Sequence, residues 1–343
     1  MIFTIDFWQI VFIAMISVFF VIKILRPVAI RINLVDSPDE RKKHEGNIPL
    51  IGGVSVYIGL MIAMFSSYPF NENLSYLLTA ASLILVVGII DDLRNLGAWL
   101  RICVQVIACL IMIKGSGVYV SSLGSPFGSN EIALGIFSIP FTIFAVVGLV
   151  NAFNMSDGID GLAGSLALVT IIGIVLFGAM SEKPLLFLLL AALAAALIPY
   201  LFANILSTKK VFLGDAGSTL IGFILAWVLV ILSQNEEQSM VPTSVLWCVA
   251  FPVIDTFSVC CRRIHAGKSP LNADRKHFHH LLLDSGIAPK KSLLIILVFA
   301  VGLLSLGLLI QQFWPRASLS IFIATALIYL CWSSRFVEQT RRL

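Results

Sequence analysis

Apolar residues in this chain fall into long runs separated by short polar stretches. Runs such as LLFLLLAALAAALI, and the stretch from Leu74 that ILVVGII closes, are long enough to cross much of a hydrocarbon core about 30 Å thick. They far exceed the roughly 10-residue alternating strands of a membrane barrel, and with no water to satisfy backbone N–H and C=O groups the spans must be helices. Reading for apolar spans predicts about eleven transmembrane helices. They start near Phe7, Pro49, Leu74, Trp99, Phe137, Gly161, Pro184, Ser218, Thr243, Ser292 and Ala317. The predicted fold is an all-α integral membrane protein, one polytopic domain over residues 1–343. It shows no fixed-period repeat and no extramembrane segment long enough to fold alone.

Composition agrees with that pattern: 59% of the 343 residues are hydrophobic and 12% charged, against roughly 45–50% and about 25% in soluble domains. Soluble globular folds are excluded. The net charge of +4 says little, but its distribution sets a topology. Alternating sides from the first span leaves only Lys114, Lys183 and Arg316 on one face, so 20 of the 23 basic residues lie on the other. The positive-inside rule makes that basic face cytoplasmic, with the N-terminus periplasmic and the C-terminus cytoplasmic. Met-Ile-Phe-Thr-Ile-Asp before the first run lacks a basic n-region, and no small-residue cleavage site closes that run, so it is expected to stay as a span. The six cysteines lie in or at the ends of apolar runs without metal-ligand spacing; neither a disulfide framework nor a zinc site is expected.

A channel or transporter tends to place ionisable groups near the midplane. Here the acidic pairs, all five histidines and most basic residues gather in the cytoplasmic loops or at helix ends beside them. Asp91 and Asp92 close the third span. Two carboxylates at a helix C-terminus face the negative end of its dipole and need something positive, for which Mg²⁺ bridging to phosphate is the economical candidate. Asn151 to Gly161 reads NAFNMSDGIDG. One reading is a turn in which Asp160 or Ser156 N-caps the next helix; the other is a hydrogen-bonding pocket for a polar ligand.

Phe212 to Thr219 reads FLGDAGST and opens the eighth span. Its glycines let backbone approach a ligand, the helix N-terminus offers N–H groups to an anion, and Asp215 can hold a cation. Arg262 to His280, RRIHAGKSPLNADRKHFHH, suits a diphosphate better than zinc, with Arg275 and Lys276 beside the histidines. Arg41 to His44 before IPLIGG is equally a topology signal and an anion site. Asp255, two turns inside the ninth span, is either functional or paired with Arg262 at i+7.

Taken in order, IPLIGG, Asp91-Asp92, NAFNMSDGIDGLAG, VFLGDAGSTLIGF and HFHH resemble the polyprenyl-phosphate N-acetylhexosamine-1-phosphate transferases over residues 36–283. IPLIGG and HFHH, in place of the TPTMGG and PxHHH-like motifs of the peptidoglycan branch, favour the branch with a plain N-acetylhexosamine donor. The resemblance implies transfer of GlcNAc-1-phosphate from UDP-GlcNAc to undecaprenyl phosphate in a bacterial inner membrane, giving UMP and a lipid-linked sugar for O-antigen or related glycans. It implies Mg²⁺, replaceable by Mn²⁺, on Asp215 and Asp91, with Asp92 as base or acceptor orienter. Asn154, Asp157 and Asp160 would line the nucleotide pocket with Phe212 near the uracil. His279 would be catalytic, and His279 and His280 would bind the diphosphate. Arg101 would meet phosphate; Lys43, Ser218, Arg275 and His277 complete the expected substrate contacts. Membrane lipid is an expected partner, nucleic acid is not, and a homo-oligomer stays open. The alternatives are another UDP-N-acetylhexosamine donor or, in a different class, a nucleotide-sugar or anion transporter.

Overall fold

The computed structural model describes residues 5–37, 46–67, 72–128, 130–178, 183–234, 239–269 and 276–340. Thirteen helices are described: α1 (Ile5–Arg31), α2 (Gly52–Ser67), α3 (Glu72–Arg94), α4 (Ala98–Ser116), α5 (Ser138–Met155), α6 (Leu162–Phe177), α7 (Pro184–Leu201), α8 (Gly214–Gln234), α9 (Pro242–Cys248), α10 (Ala250–His265), α11 (Phe278–Asp284), α12 (Pro289–Phe313) and α13 (Ser318–Thr340). Extended structure among the described residues is limited to β1 (Val35–Asp36), antiparallel to β2 (Ile48–Pro49), and one isolated bridge. The protein is an all-α, multi-pass membrane protein.

Each predicted run falls on a helix, but the runs are not eleven equal spans. Eight helices among the described residues are long and apolar enough to cross a bilayer, and α2 and α6 are shorter than the roughly 20 residues a full crossing needs. The predicted ninth span is broken: α9 and α10 meet at 82°. Pro252 explains the break. Its ring has no N–H and clashes with the carbonyl four residues back, so it is tolerated in the first turn of α10 but not in a helix running on from Cys248.

The chain forms two compact units, residues 1–118 with 179–228 and residues 119–178 with 229–343. In the first, α1 packs on α2 and α7, and α3 packs on α4. Among the described residues α8 is the most buried of the full spans, with 94% of its apolar stretch buried against 22–50% for the others. The glycine motifs of the first unit are joined by backbone. Phe212 N–H donates to Pro49 O (2.9 Å), Gly52 N–H to Phe212 O (2.8 Å) and Gly53 N–H to Leu213 O (3.0 Å). A Cβ on Gly53 would collide with Gly217 of α8, and one on Gly88 of α3 with Ala216. The expectation that Gly217 serves close approach of a ligand is corrected here: the absent side chain lets the α2 and α8 backbones touch.

In the second unit α6 packs on α9 and α12, α10 on α5 and α13, and α11 on α12 and α13. Trp247 is fully buried, donates Nε1–H to Ser318 Oγ (3.0 Å) and meets Phe322 edge-on. Phe278, the aromatic inside HFHH, sits among Phe251, Phe299, Tyr329 and Trp332 with ring centroids 5.4–6.4 Å away. Aromatic pairs at such distances add to the area they bury. They seat the short α11 although seven residues make a poor helix alone.

Candidate active site

In the first unit α3 ends at Arg94, where Asn95 takes a left-handed φ of 50°, a conformation Asn tolerates better than most residues. The turn folds back on Asp91, whose Oδ1 accepts Leu96 N–H (2.6 Å) and whose main-chain oxygen accepts Asn95 N–H (2.7 Å). This delivers Arg101, one turn into α4, to the acidic pair. Its Nη1 donates to Asp91 Oδ2 at 2.9 Å and to Asp215 Oδ2 at 3.2 Å. Asp91 is 4% exposed, whereas Asp215 is 43% and Arg101 31% exposed. Two carboxylate oxygens from different helices therefore converge on one nitrogen in a half-open setting. Ile84, Val87 and Gly88 of α3, Val104 and Gln105 of α4, and Thr219 of α8 line a cleft beside them.

Asp92 turns to α8. Its Oδ1 accepts the N–H of Asp215 (2.8 Å) and its Oδ2 that of Ala216 (3.2 Å). A carboxylate from another helix thus caps donors that the first turn cannot satisfy and sits at the positive end of the α8 dipole. Gly214 has φ 76°, and a side chain there would run into the Asp92 carboxylate. The positive compensation expected for the adjacent aspartates is present in protein form, Arg101 for Asp91 and a helix N-terminus for Asp92. The first N–H groups of α8 are consequently bonded to Asp92. Ser218 is fully buried with its hydroxyl directed to Gly214 O (3.1 Å), back into its own turn. Phe212 is half-buried.

The second unit brings together two motifs far apart in sequence. α5 ends at Met155, and Gly161, with φ 78°, enters α6 without a side-chain cap. Ser156 Oγ bonds back to Ala152 O (2.8 Å). Ser156 therefore does not cap α6. Asn154, Asp157 and Asp160 are half-buried around it. The buried His279 ring lies directly on Gly158, so closely that a Cβ there would collide with Nε2. His280 is half-buried with its ring centroid 4.1 Å from that of His279.

His277 is buried, and its Nδ1 lies 2.8 Å from Asp255 Oδ2. Asp255 does not pair with Arg262 as its i+7 spacing suggested. Its Oδ1 accepts Phe278 N–H (3.1 Å) and Tyr329 O–H (2.7 Å). Arg262 instead donates from Nη1 to Ser258 and Ser333 Oγ (both 2.6 Å) and from Nη2 to Lys276 O (2.8 Å). Lys43 and Arg275 lie outside the described residues. Sequence reading missed Tyr329, Ser333 and Ser258; the one available signal was polar residues at i, i+4 on the otherwise apolar α13 and at i, i+3, i+7 on α10.

Residues 74–233 match the family model described as Glycosyl transferase family 4. The chain is 37% identical over 333 residues to the undecaprenyl-phosphate alpha-N-acetylglucosaminyl 1-phosphate transferase of Yersinia pestis, covering 93% of this chain and 91% of the relative. The chain belongs to this transferase family. Proteins of the same description from Escherichia coli (strain K12) and Haemophilus influenzae (strain Rd) are each 36% identical. They cover 92% and 89% of the transferase and 90% and 87% of their own lengths. The family match takes in Asp91, Asp92, Asn154, Asp157, Asp160, Phe212 and Asp215. HFHH of the transferase lies beyond it.

Mg²⁺ can be tested against the residues present. Among the described residues no group of three or more His, Cys, Asp or Glu could hold a metal ion. Asp91 and Asp215 nevertheless aim two hard oxygens at one point, and Mg²⁺ is usually bound through one or two carboxylates, with substrate phosphate and water completing its shell. The donor set fits Mg²⁺ and would suit zinc poorly. For a transporter, Asp255 was the one intramembrane carboxylate that hinted at a route. It is 3% exposed with three donors on it, which is no lining for an aqueous path.

Proposed function

We propose that this protein transfers GlcNAc-1-phosphate from UDP-GlcNAc to undecaprenyl phosphate at the cytoplasmic face of a bacterial inner membrane, giving undecaprenyl-diphospho-GlcNAc and UMP. The observation that carries the reading is the convergence of Asp91 and Asp215 on Arg101 at the ends of three long apolar helices. A sugar nucleotide is water-borne and anionic, while a polyprenyl phosphate cannot leave the bilayer, so only a charged site at the ends of apolar helices serves both. The 20-to-3 split of basic residues supports the cytoplasmic assignment.

In this reading an oxygen of the lipid phosphate attacks the sugar-bearing phosphorus of the donor. The bond from that phosphorus to the bridging oxygen breaks, and UMP departs with the electron pair. The bond between sugar and phosphate is never touched, so anomeric configuration is kept. Mg²⁺ held by Asp215 and Asp91 would neutralise the diphosphate charge. Arg101 offers a guanidinium to phosphate once it is drawn from between the carboxylates. Asp92, with both oxygens on the α8 backbone, orients the turn that bears Asp215 and is poorly disposed as a nucleophile. A phosphate monoester with a second pKa near 6 is mostly dianionic at neutral pH and needs little help from a base. Asn154, Asp157 and Asp160 are assigned to the nucleotide, and His279 and His280 to the diphosphate.

The test is purified protein with undecaprenyl phosphate, Mg²⁺ and UDP-GlcNAc, scored for UMP and lipid-linked sugar. Product that vanishes in chelator and returns with Mg²⁺ or Mn²⁺ is expected. Turnover surviving chelation would remove the metal, and turnover with a different UDP-N-acetylhexosamine alone would change the donor.

A further inference from the structure

A buried carboxylate is costly, and replacing a buried ionic group by apolar residues of similar volume is often neutral or stabilising. Filling space therefore does not account for Asp255. Its three bonds show what it does. Two of the three donors, His277 Nδ1 and Phe278 N–H, are consecutive in the segment that opens α11. The third, Tyr329 O–H, comes from α13. Arg262, two turns along α10 on the same side, holds the preceding residue through Lys276 O. Three successive residues of the histidine segment are thus gripped by α10, while the Phe278 ring is locked among aromatics.

We infer that Asp255 is a positioning residue that fixes the histidine segment so that His279 meets the Asp157–Asp160 turn in one orientation. The inference rests on the donor-binding roles proposed above for those residues. With the carboxylate accepting from Nδ1, the tautomer and plane of His277 are set. That plane is carried to the next histidine, because the rings of His277 and His279 lie 6.0 Å apart and within 9° of parallel. His279 then bears on Gly158, between the two aspartates of the turn, where only a residue without a side chain fits. Asp255 acts on the donor through this relay and without touching it.

The experiment pairs hydrogen exchange with steady-state kinetics on full-length protein in detergent. Asp255→Asn keeps the shape and one acceptor oxygen but turns an N–H₂ towards Nδ1, forcing the imidazole to change tautomer or turn. Amides of Phe278 to Leu282 are expected to exchange at least about tenfold faster while those of α12 do not change. KM for UDP-GlcNAc should rise about tenfold to a hundredfold, the range for a lost hydrogen bond to a charged group, with KM for undecaprenyl phosphate held within about twofold. His277→Asn places an amide N–H close to where Nδ1–H stands and should keep α11 protected. Unchanged exchange in Asp255→Asn, or a parallel rise in both KM values with general loss of protection, overturns the inference. Exchange reads the grip on α11 without turnover, so a wild-type protein inactive on UDP-GlcNAc would strike the proposed function and leave the anchor to be judged on its own.

Discussion

The two acidic centres of this protein use the same side chain in opposite ways. Asp91 and Asp215 share one guanidinium nitrogen, with Asp215 and Arg101 partly open to solvent. Asp255 is sealed, and its partners are an imidazole, a hydroxyl and a main-chain N–H. An open, over-acidic cluster is held together by little and can exchange its cation for another. A sealed carboxylate with every donor supplied by the protein has nothing to exchange. The first arrangement suits chemistry on a charged substrate, the second suits holding a segment still, and mutation should separate activity from stability accordingly.

The largest separation is expected at Asp215. Asp215→Asn should lower the rate of UMP release at least about a thousandfold, since a neutral amide is a poor ligand for a hard cation. Its melting temperature in detergent should hardly move, because a partly exposed ion pair contributes only about 0–1 kcal/mol. An Asp215→Asn protein with a tenth of normal turnover would break the comparison. Asp255→Ala is the converse: it strands three buried donors and should cost about 3–5 kcal/mol in denaturation measurements, with or without substrate. A melting temperature equal to wild type would show that the sealed centre bears no structural load.

Smaller effects sharpen the contrast. Arg101→Ala should slow turnover about a hundredfold, the scale for one lost electrostatic donor, while leaving the fold intact; kinetics alongside a melting curve decide it. Tyr329→Phe removes one of three donors to Asp255 and should cost about 1.5 kcal/mol of stability. A larger loss of activity than of stability in that variant would show that Tyr329 does more than hold the sealed centre.

Much of the first centre could be read along the chain. Asp91, Asp92 and Asp215 stood out because carboxylates beside apolar runs and glycines are rarely neutral ornament, and the need for a positive partner followed from the helix dipole. That the partner is Arg101 could not be read, because it depends on the turn at Asn95 and the return of α4 along α3. The second centre was less legible. Asp255, His277 and Tyr329 are separated by 22 to 74 positions, and the pairing suggested by helical spacing, Asp255 with Arg262, lost to a segment arriving from elsewhere. The direction of the Ser218 hydroxyl, towards Gly214 O of its own turn, could not be read from the motif either.

The sequence by itself determined the solvent, the helical class and the transferase family. Long apolar runs admit only helices in a bilayer, and charged residues can gather only where those runs end. Tertiary structure decided which glycines serve packing, where the ninth run breaks, and which carboxylate is open and which is sealed. The physical reason is range: periodicity and propensity act within a few residues, whereas the partner of a buried charge is whatever donor the folded chain brings within 3 Å.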